Sequence, residues 1–228
     1  MPAEPDEREE TVSDLPTIIP VFPLPNVVLF PEVILPLHIF EPRYRQMVRD
    51  AKDNAPALIG MALLRGNWQE QYEGRPEIFP VCCVGEMVRV VPLPDGRFNI
   101  LLKGVRECRI KEELSGKMYR EAVVEWRPSA KGPLLPELRQ DLNRLLETYL
   151  QKNEAVQKFL ADPSVEDDFF VNFFAFHLDF LPIEKQSLLE ATTMRERATL
   201  LRDMLDFNLT AARRPEGGPG SSGKTRMH

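Results

Sequence analysis

The chain has 228 residues, 43% of them hydrophobic, and a formal net charge of −6 at pH 7. That length holds one large domain or two small ones, and that apolar share suffices for a buried core, which excludes a wholly disordered chain. The charge is uneven: residues 1–15 sum to −5, residues 211–228 to +3 and the body between them to −4, a poor surface for a phosphate backbone, so a nucleic-acid role is disfavoured.

Residues 1–15 carry no apolar periodicity and are expected to be disordered, and no apolar stretch near Met1 resembles a signal peptide. The ordered chain opens with "TIIPVFPLPNVVLFPEVILPLHIFEPRYRQM". Pro20, Pro23, Pro25, Pro31 and Pro36 forbid helix, while the Val, Ile, Leu and Phe between them favour bulged strands of the kind that turn barrel corners. In "EPRYRQMVRDAKDN" a helix is predicted: Pro42 suits its first turn, and Tyr44, Met47, Val48 and Ala51 form one stripe. Phe40 and Tyr44 are expected to pack inward. Ala57–Arg65 reads as a buried strand, and "GNWQEQYEGRPEIFP" as a long loop punctuated by Gly66, Gly74 and Pro76. "VCCVGEMVRVVPLPDGRFNILLKGVRECRI" reads as a hairpin about the turn signal Pro94–Gly96, and Met118–Trp126 as a further strand. Six strands and one helix before Pro128 are enough to close a small barrel.

Beyond Pro128 the period changes. "LPELRQDLNRLLETYLQ" sets Leu138, Leu142, Leu145, Leu146 and Tyr149 at helical spacing. "SVEDDFFVNFFAFHLDF" is predicted to be a helix capped by Ser164, with Asp167 and Asp168 in its first turn and His177 as a cation near its end. "PIEKQSLLEA" places Pro182 in a first turn, and "TMRERATLLRDMLDFNL" is amphipathic through Met194, Ala198, Leu201, Met204 and Leu205. The fold class is therefore α+β: a β-barrel subdomain over 16–128, a helical bundle over 129–210 and a Gly/Ser-rich basic tail over 211–228.

Three segments carry a family resemblance: "VFPLPNVVLFPEVILPLHIFEPRYRQM", "VGEMVRVVPLPDGRFNILLKGVRECRI" and "FAFHLDFLPIEKQSLLEATTMRERATLLRDML". In order and spacing they resemble the signatures of the Lon protease N-terminal, or substrate-binding, domain, over residues 17–207. The resemblance implies a PUA-like pseudo-barrel followed by a helical bundle. The chain is similar to stand-alone bacterial members that lack the ATPase and protease domains of full-length Lon.

Reactive motifs are weak. "GGPGSSGKT" (Gly217–Thr225) fits a phosphate-loop pattern, yet no apolar strand delivers it and only three residues follow Thr225. The loop works only between a strand and a helix, so tail composition accounts for the match and no nucleotide cofactor is expected. His38 and His177 belong to no metal-ligand pattern. Cys82, Cys83 and Cys108 form no C-x-x-C; the adjacent pair is expected to point to opposite faces of a strand as small hydrophobes in a reduced, cytoplasmic protein. No apolar run is long enough to span a bilayer.

What remains is recognition of apolar surface. Phe169 and Phe173, in a helix apolar around most of its circumference, either complete the core or line a groove; Trp68, Tyr72 and Phe79 either cover an open barrel end or present contact aromatics. The exposed edge of the Pro-rich segment could add a peptide strand. The expected partners are unfolded or apolar peptide segments, with a protease or chaperone as associate in protein quality control. A PUA-like nucleic-acid-binding module and a hydrolase using Cys82 or Cys108 with a histidine are the alternatives.

Overall fold

The computed structural model describes residues 15–71, 74–151 and 154–213. Its first half contains six strands, β1 (Ile18–Leu24), β2 (Ile34–Ile39), β3 (Leu58–Leu63), β4 (Val81–Pro92), β5 (Phe98–Leu114) and β6 (Arg120–Trp126), with helix α1 (Pro42–Lys52) between β2 and β3. β1 pairs with β3 in parallel and with β6 antiparallel, and β3 with β4, β4 with β5 and β5 with β6 are antiparallel, so five strands close a ring. The 17-residue β5 makes closure possible by serving two ladders: its second half pairs with β6, its first half with β2. Irregularities at Val84/Gly85, Met87/Arg89 and Ile110/Glu112 bend the long strands around the ring.

Strand alternation sorts the apolar residues into two cores. Ile19, Val21, Leu58, Ala62, Cys82, Val84, Cys108, Ala122 and Val124 fill the lumen. Ile59, Met61, Leu63, Val81, Cys83, Ile100 and Leu102 face outward, into a larger core shared with the helices. The adjacent Cys82 and Cys83 thus lie in different cores, as a period of two requires. The same rule corrects the expectation for Phe40. Ile39 takes the core side, so the next residue is turned to solvent and Phe40 is 59% exposed, whereas Tyr44 is buried against Phe22 with ring centroids 4.2 Å apart. The β1–β2 connection crosses β5 at Gly104, which donates its N–H to Val33 and accepts from Glu32, both at 2.8 Å. A Cβ there would stand 2.0 Å from the Phe30 carbonyl oxygen, so only glycine allows the crossing.

Among the described residues five helices follow: α2 (Pro136–Tyr149), α3 (Glu154–Ala161), α4 (Asp167–His177), α5 (Pro182–Glu190) and α6 (Met194–Arg213). The architecture is α+β, a six-stranded pseudo-barrel with one helix and then a bundle. α3 had no counterpart in the sequence reading, because eight residues with Leu160 as the buried one show too little periodicity. Ser164 is not the cap of α4: it bonds Asp162 Oδ1 through its N–H (2.9 Å) and hydroxyl (2.7 Å), and the helix starts after Glu166. Asp167 does sit in the first turn, where it ion-pairs with Arg139 and accepts from the Leu134 N–H at 2.7 Å, tying α4 to α2. At the other end of α4 the cation is Lys185, which donates to the Phe176 carbonyl at 2.6 Å. Burial, with Lys185 nearby, pushes the His177 pKa down, which disfavours its charged form there.

Barrel and bundle are joined through one buried guanidinium. Arg197 of α6, with no exposed surface, ion-pairs with Glu107 on the outward face of β5. It also donates to Asn172 Oδ1 of α4 (2.5 Å) and the Leu188 carbonyl of α5 (2.9 Å). Gln186 adds a bond to the Val81 carbonyl at 3.0 Å, and Arg127 caps the end of α5 through the carbonyls of Leu189 (3.0 Å) and Glu190 (2.8 Å).

Candidate peptide-binding surface

Past the closed ring, the first half of β5 carries β2 on one side and the end of β4 on the other, which makes a three-stranded ledge. Register assigns its two faces. Leu35–Leu102–Met87 and Leu37–Ile100–Val90 form cross-strand rows toward the main core. The rows between them, Ile34–Lys103–Glu86, Pro36–Leu101–Arg89 and His38–Asn99–Val91, make the outer face. A groove of about 460 Å³ lies there, between Pro36 and His38 on β2 and Arg89 and Val91 on β4, with Leu101 and Asn99 beneath. Ile34 (51% exposed) stands at one end, and Phe40 follows β2 at the other. Among the described residues β2 has no second strand neighbour, so its far edge is open, with Pro36 in its middle lacking an N–H.

The polar groups near Phe40 are ordered. Arg97 Nη1 donates to His38 Nε2 at 3.2 Å, which leaves Nδ1 to donate to Asn99 Oδ1 at 2.7 Å. The Arg97 guanidinium also bonds Asp95, holding that carboxyl down at about 2. The His38 and Phe40 rings stack with centroids 6.2 Å apart. At the opposite end Lys103 pairs with Glu32 at 2.7 Å. The result is a surface of extended backbone with apolar side chains along it and fixed polar groups at both ends, suited to contact with an extended chain.

The residues singled out from sequence lie elsewhere. Phe169 and Phe173 come together, ring centroids 5.8 Å apart, with Phe159 of α3 at 6.3 and 5.0 Å. Both are half-buried, while Phe170 and Phe174 are inside the core. Phe79 packs half-buried against the same core, the Arg65 guanidinium 5.9 Å above its ring. Trp68 is half-buried at the start of a short turn of helix, and Tyr72 lies outside the described residues, as do Gly217–Thr225. The outer ledge residues Ile34, Arg89, Val91 and Leu101 escaped the sequence reading because both faces of these strands are largely apolar, so alternation could not say which face is covered.

The thiols are sealed. Cys82 and Cys108 meet at 3.3 Å between sulfurs inside the lumen, and Cys83 lies in the other core. Burial pushes Cys83 well up, and the hydrogen bond with Cys82 together with burial does the same to Cys108, opposite to what a nucleophile needs. Among the described residues no three His, Cys, Asp or Glu side chains are grouped to hold a metal, and no helix is long and apolar enough to cross a membrane.

A small closed barrel flanked by a helical bundle, with an open ledge on the barrel side, defines an α+β barrel-and-bundle module. Residues 18–206 match the family described as the ATP-dependent protease La (LON) substrate-binding domain, and the chain belongs to that family. It is 26% identical to the Lon protease of Flavobacterium johnsoniae over 200 residues, covering 85% of this chain and 24% of that protein. Against the Lon protease of Escherichia coli strain K12 it is 24% identical over 211 residues, covering 89% and 26%. The chain thus spans about a quarter of the length of the curated relatives it matches. Solved structures share the fold, among them two Lon N-terminal domains. The N-terminal domain of Mycobacterium avium complex Lon protease has a TM-score of 0.65 at 16% identity, covering 83% of this chain and 98% of that one. The Lon N-terminal domain protein from Xanthomonas campestris has a TM-score of 0.58 at 21% identity, covering 87% and 99%.

Proposed function

We propose that this protein binds exposed apolar or unfolded peptide segments in the groove on the outer face of the β2–β5–β4 ledge, without itself catalysing a reaction. Membership of a substrate-binding family supports binding as the activity, and the observation that carries the location is the open groove with Phe40 and Ile34 at its ends. Solvent-exposed apolar side chains on a rigid sheet are already desolvation-prone and lose little entropy on contact. A single short segment is held with micromolar to millimolar affinity, about −8 to −4 kcal/mol. In a cytoplasmic cell environment such a module serves as an adaptor in protein quality control, presenting segments to a protease or chaperone. The ledge is a better platform than Phe169, Phe173 and Phe79, because those three rings already pack within the protein.

The test is fluorescence anisotropy with labelled apolar peptides in extended conformation. Phe40→Ser/Val91→Ser weakens binding about tenfold, the worth of two partly exposed apolar contacts. Trp68→Ala leaves it unchanged. If Trp68→Ala weakens binding and the ledge variant does not, the site is the loop and the proposal fails.

A further inference from the structure

We infer that the groove selects segments in which an internal Asp or Glu is flanked by apolar residues, and that Arg89 reads that carboxylate. The inference rests on the reading of the ledge as a peptide site. Arg89 lies on the outer face of β4 in the middle of the three cross-strand rows, beside Leu101 and Pro36, with Val91 in the next row. It is exposed and makes no hydrogen bond or ion pair among the described residues. The other cations around the ledge are engaged: Lys103 with Glu32, and Arg97 with Asp95 and His38. Glu86, on the same face one row away, forms no ion pair with Arg89 among the described residues.

An unpaired guanidinium among apolar side chains confers a definite preference. A carboxylate meets it with paired N–H donors in a fork, whereas a lysine or arginine at the same place in the bound segment is repelled. The surrounding Pro36, Leu101 and Val91 displace water from the pair and strengthen it relative to an open surface. Position decides the source of the carboxylate. Rows of the outer face continue on both sides of Arg89, to Ile34 in one direction and to His38 and Phe40 in the other. A bound chain therefore runs past Arg89 rather than ending there, which fits a side chain and not a chain terminus. The preference follows the ionisation of the peptide acid, and added salt weakens it.

Three labelled peptides of one extended apolar sequence test this by anisotropy. The first has a central Glu and an amidated end, the second a central Gln and an amidated end, the third a central Gln and a free C-terminal carboxylate. The wild type binds the first about tenfold more tightly than the other two. Arg89→Gln removes that difference and Arg89→Lys retains part of it; circular dichroism checks that each exposed-site variant is folded. Equal affinity for the Glu and Gln peptides, a preference for the free terminus alone, or a preference that survives Arg89→Gln overturns the inference. In those cases Phe40→Ser/Val91→Ser still weakens all three peptides if the ledge itself is the site. No binding by any peptide overturns both.

Discussion

Replacing Arg197 tests whether barrel and bundle fold as one unit. Its guanidinium has no solvent exposure and holds Glu107 of β5, Asn172 of α4 and the Leu188 carbonyl of α5. Arg197→Leu leaves the Glu107 carboxylate, 3% exposed, without its counter-charge, and leaves the Asn172 oxygen and a helix-terminal carbonyl without a donor. Breaking one side of a buried pair costs about 3–5 kcal/mol, a large part of the 5–15 kcal/mol that holds a typical domain. Glu107→Leu is expected to destabilise comparably, by stranding the guanidinium. The double variant Arg197→Leu/Glu107→Leu regains much of the loss, because apolar pairs of similar volume replace buried ion pairs at little cost, and the residual deficit reflects Asn172 and the carbonyls. Urea unfolding followed by circular dichroism and by tryptophan fluorescence reads all four proteins. Trp126 lies on β6 of the barrel and the bundle dominates the helical signal, so coincident transitions report cooperative unfolding. A loss below about 1 kcal/mol for either single variant, or losses that simply add in the double, would refute the keystone role.

Gly104→Ala drives a Cβ into the Phe30 carbonyl, a backbone atom that cannot swing aside, and is expected to cost about 3 kcal/mol by the same urea assay; a change under about 0.5 kcal/mol would show that the crossing strand can shift. The Tyr119 phenol, pushed up to about 12 by burial and by its 2.7 Å hydrogen bond to Asp50, contributes to the alkaline limb. The unfolded chain releases this proton near pH 10, so the stability it lends is complete below pH 10 and declines as pH rises toward 12. Unfolding midpoints measured from pH 9 to 12 should therefore fall more steeply for the wild type than for Tyr119→Phe; parallel curves would rule out the shift.

Much of this fold is local information. The α1 stripe of Tyr44, Met47, Val48 and Ala51 is buried as its spacing predicts, because neighbours three and four apart share a helix face wherever the helix is placed. The Pro94–Gly96 turn joins β4 to β5, with Gly96 at φ +80°, since a tight reversal needs that residue type in any tertiary setting. The family-bearing segments and the α+β class were legible for the same reason. The candidate site was not. Ile34, Val91 and Leu101 are apolar residues in apolar strands, and their exposure depends on where β5 leaves the ring to join β2.

By itself, then, the sequence determined the six strands and every α-helix but the short α3, which family they spell, and that adjacent residues such as Cys82 and Cys83 must part company. Tertiary structure alone decided which of two apolar faces is covered: it put Ile39 inside and Phe40 outside, joined Glu107 to Arg197 across 90 residues, and left Arg89 without a partner among the described residues. The physical reason is range. Backbone sterics and side-chain periodicity act over a few residues, whereas burial and ion pairing depend on what the closing chain brings within reach.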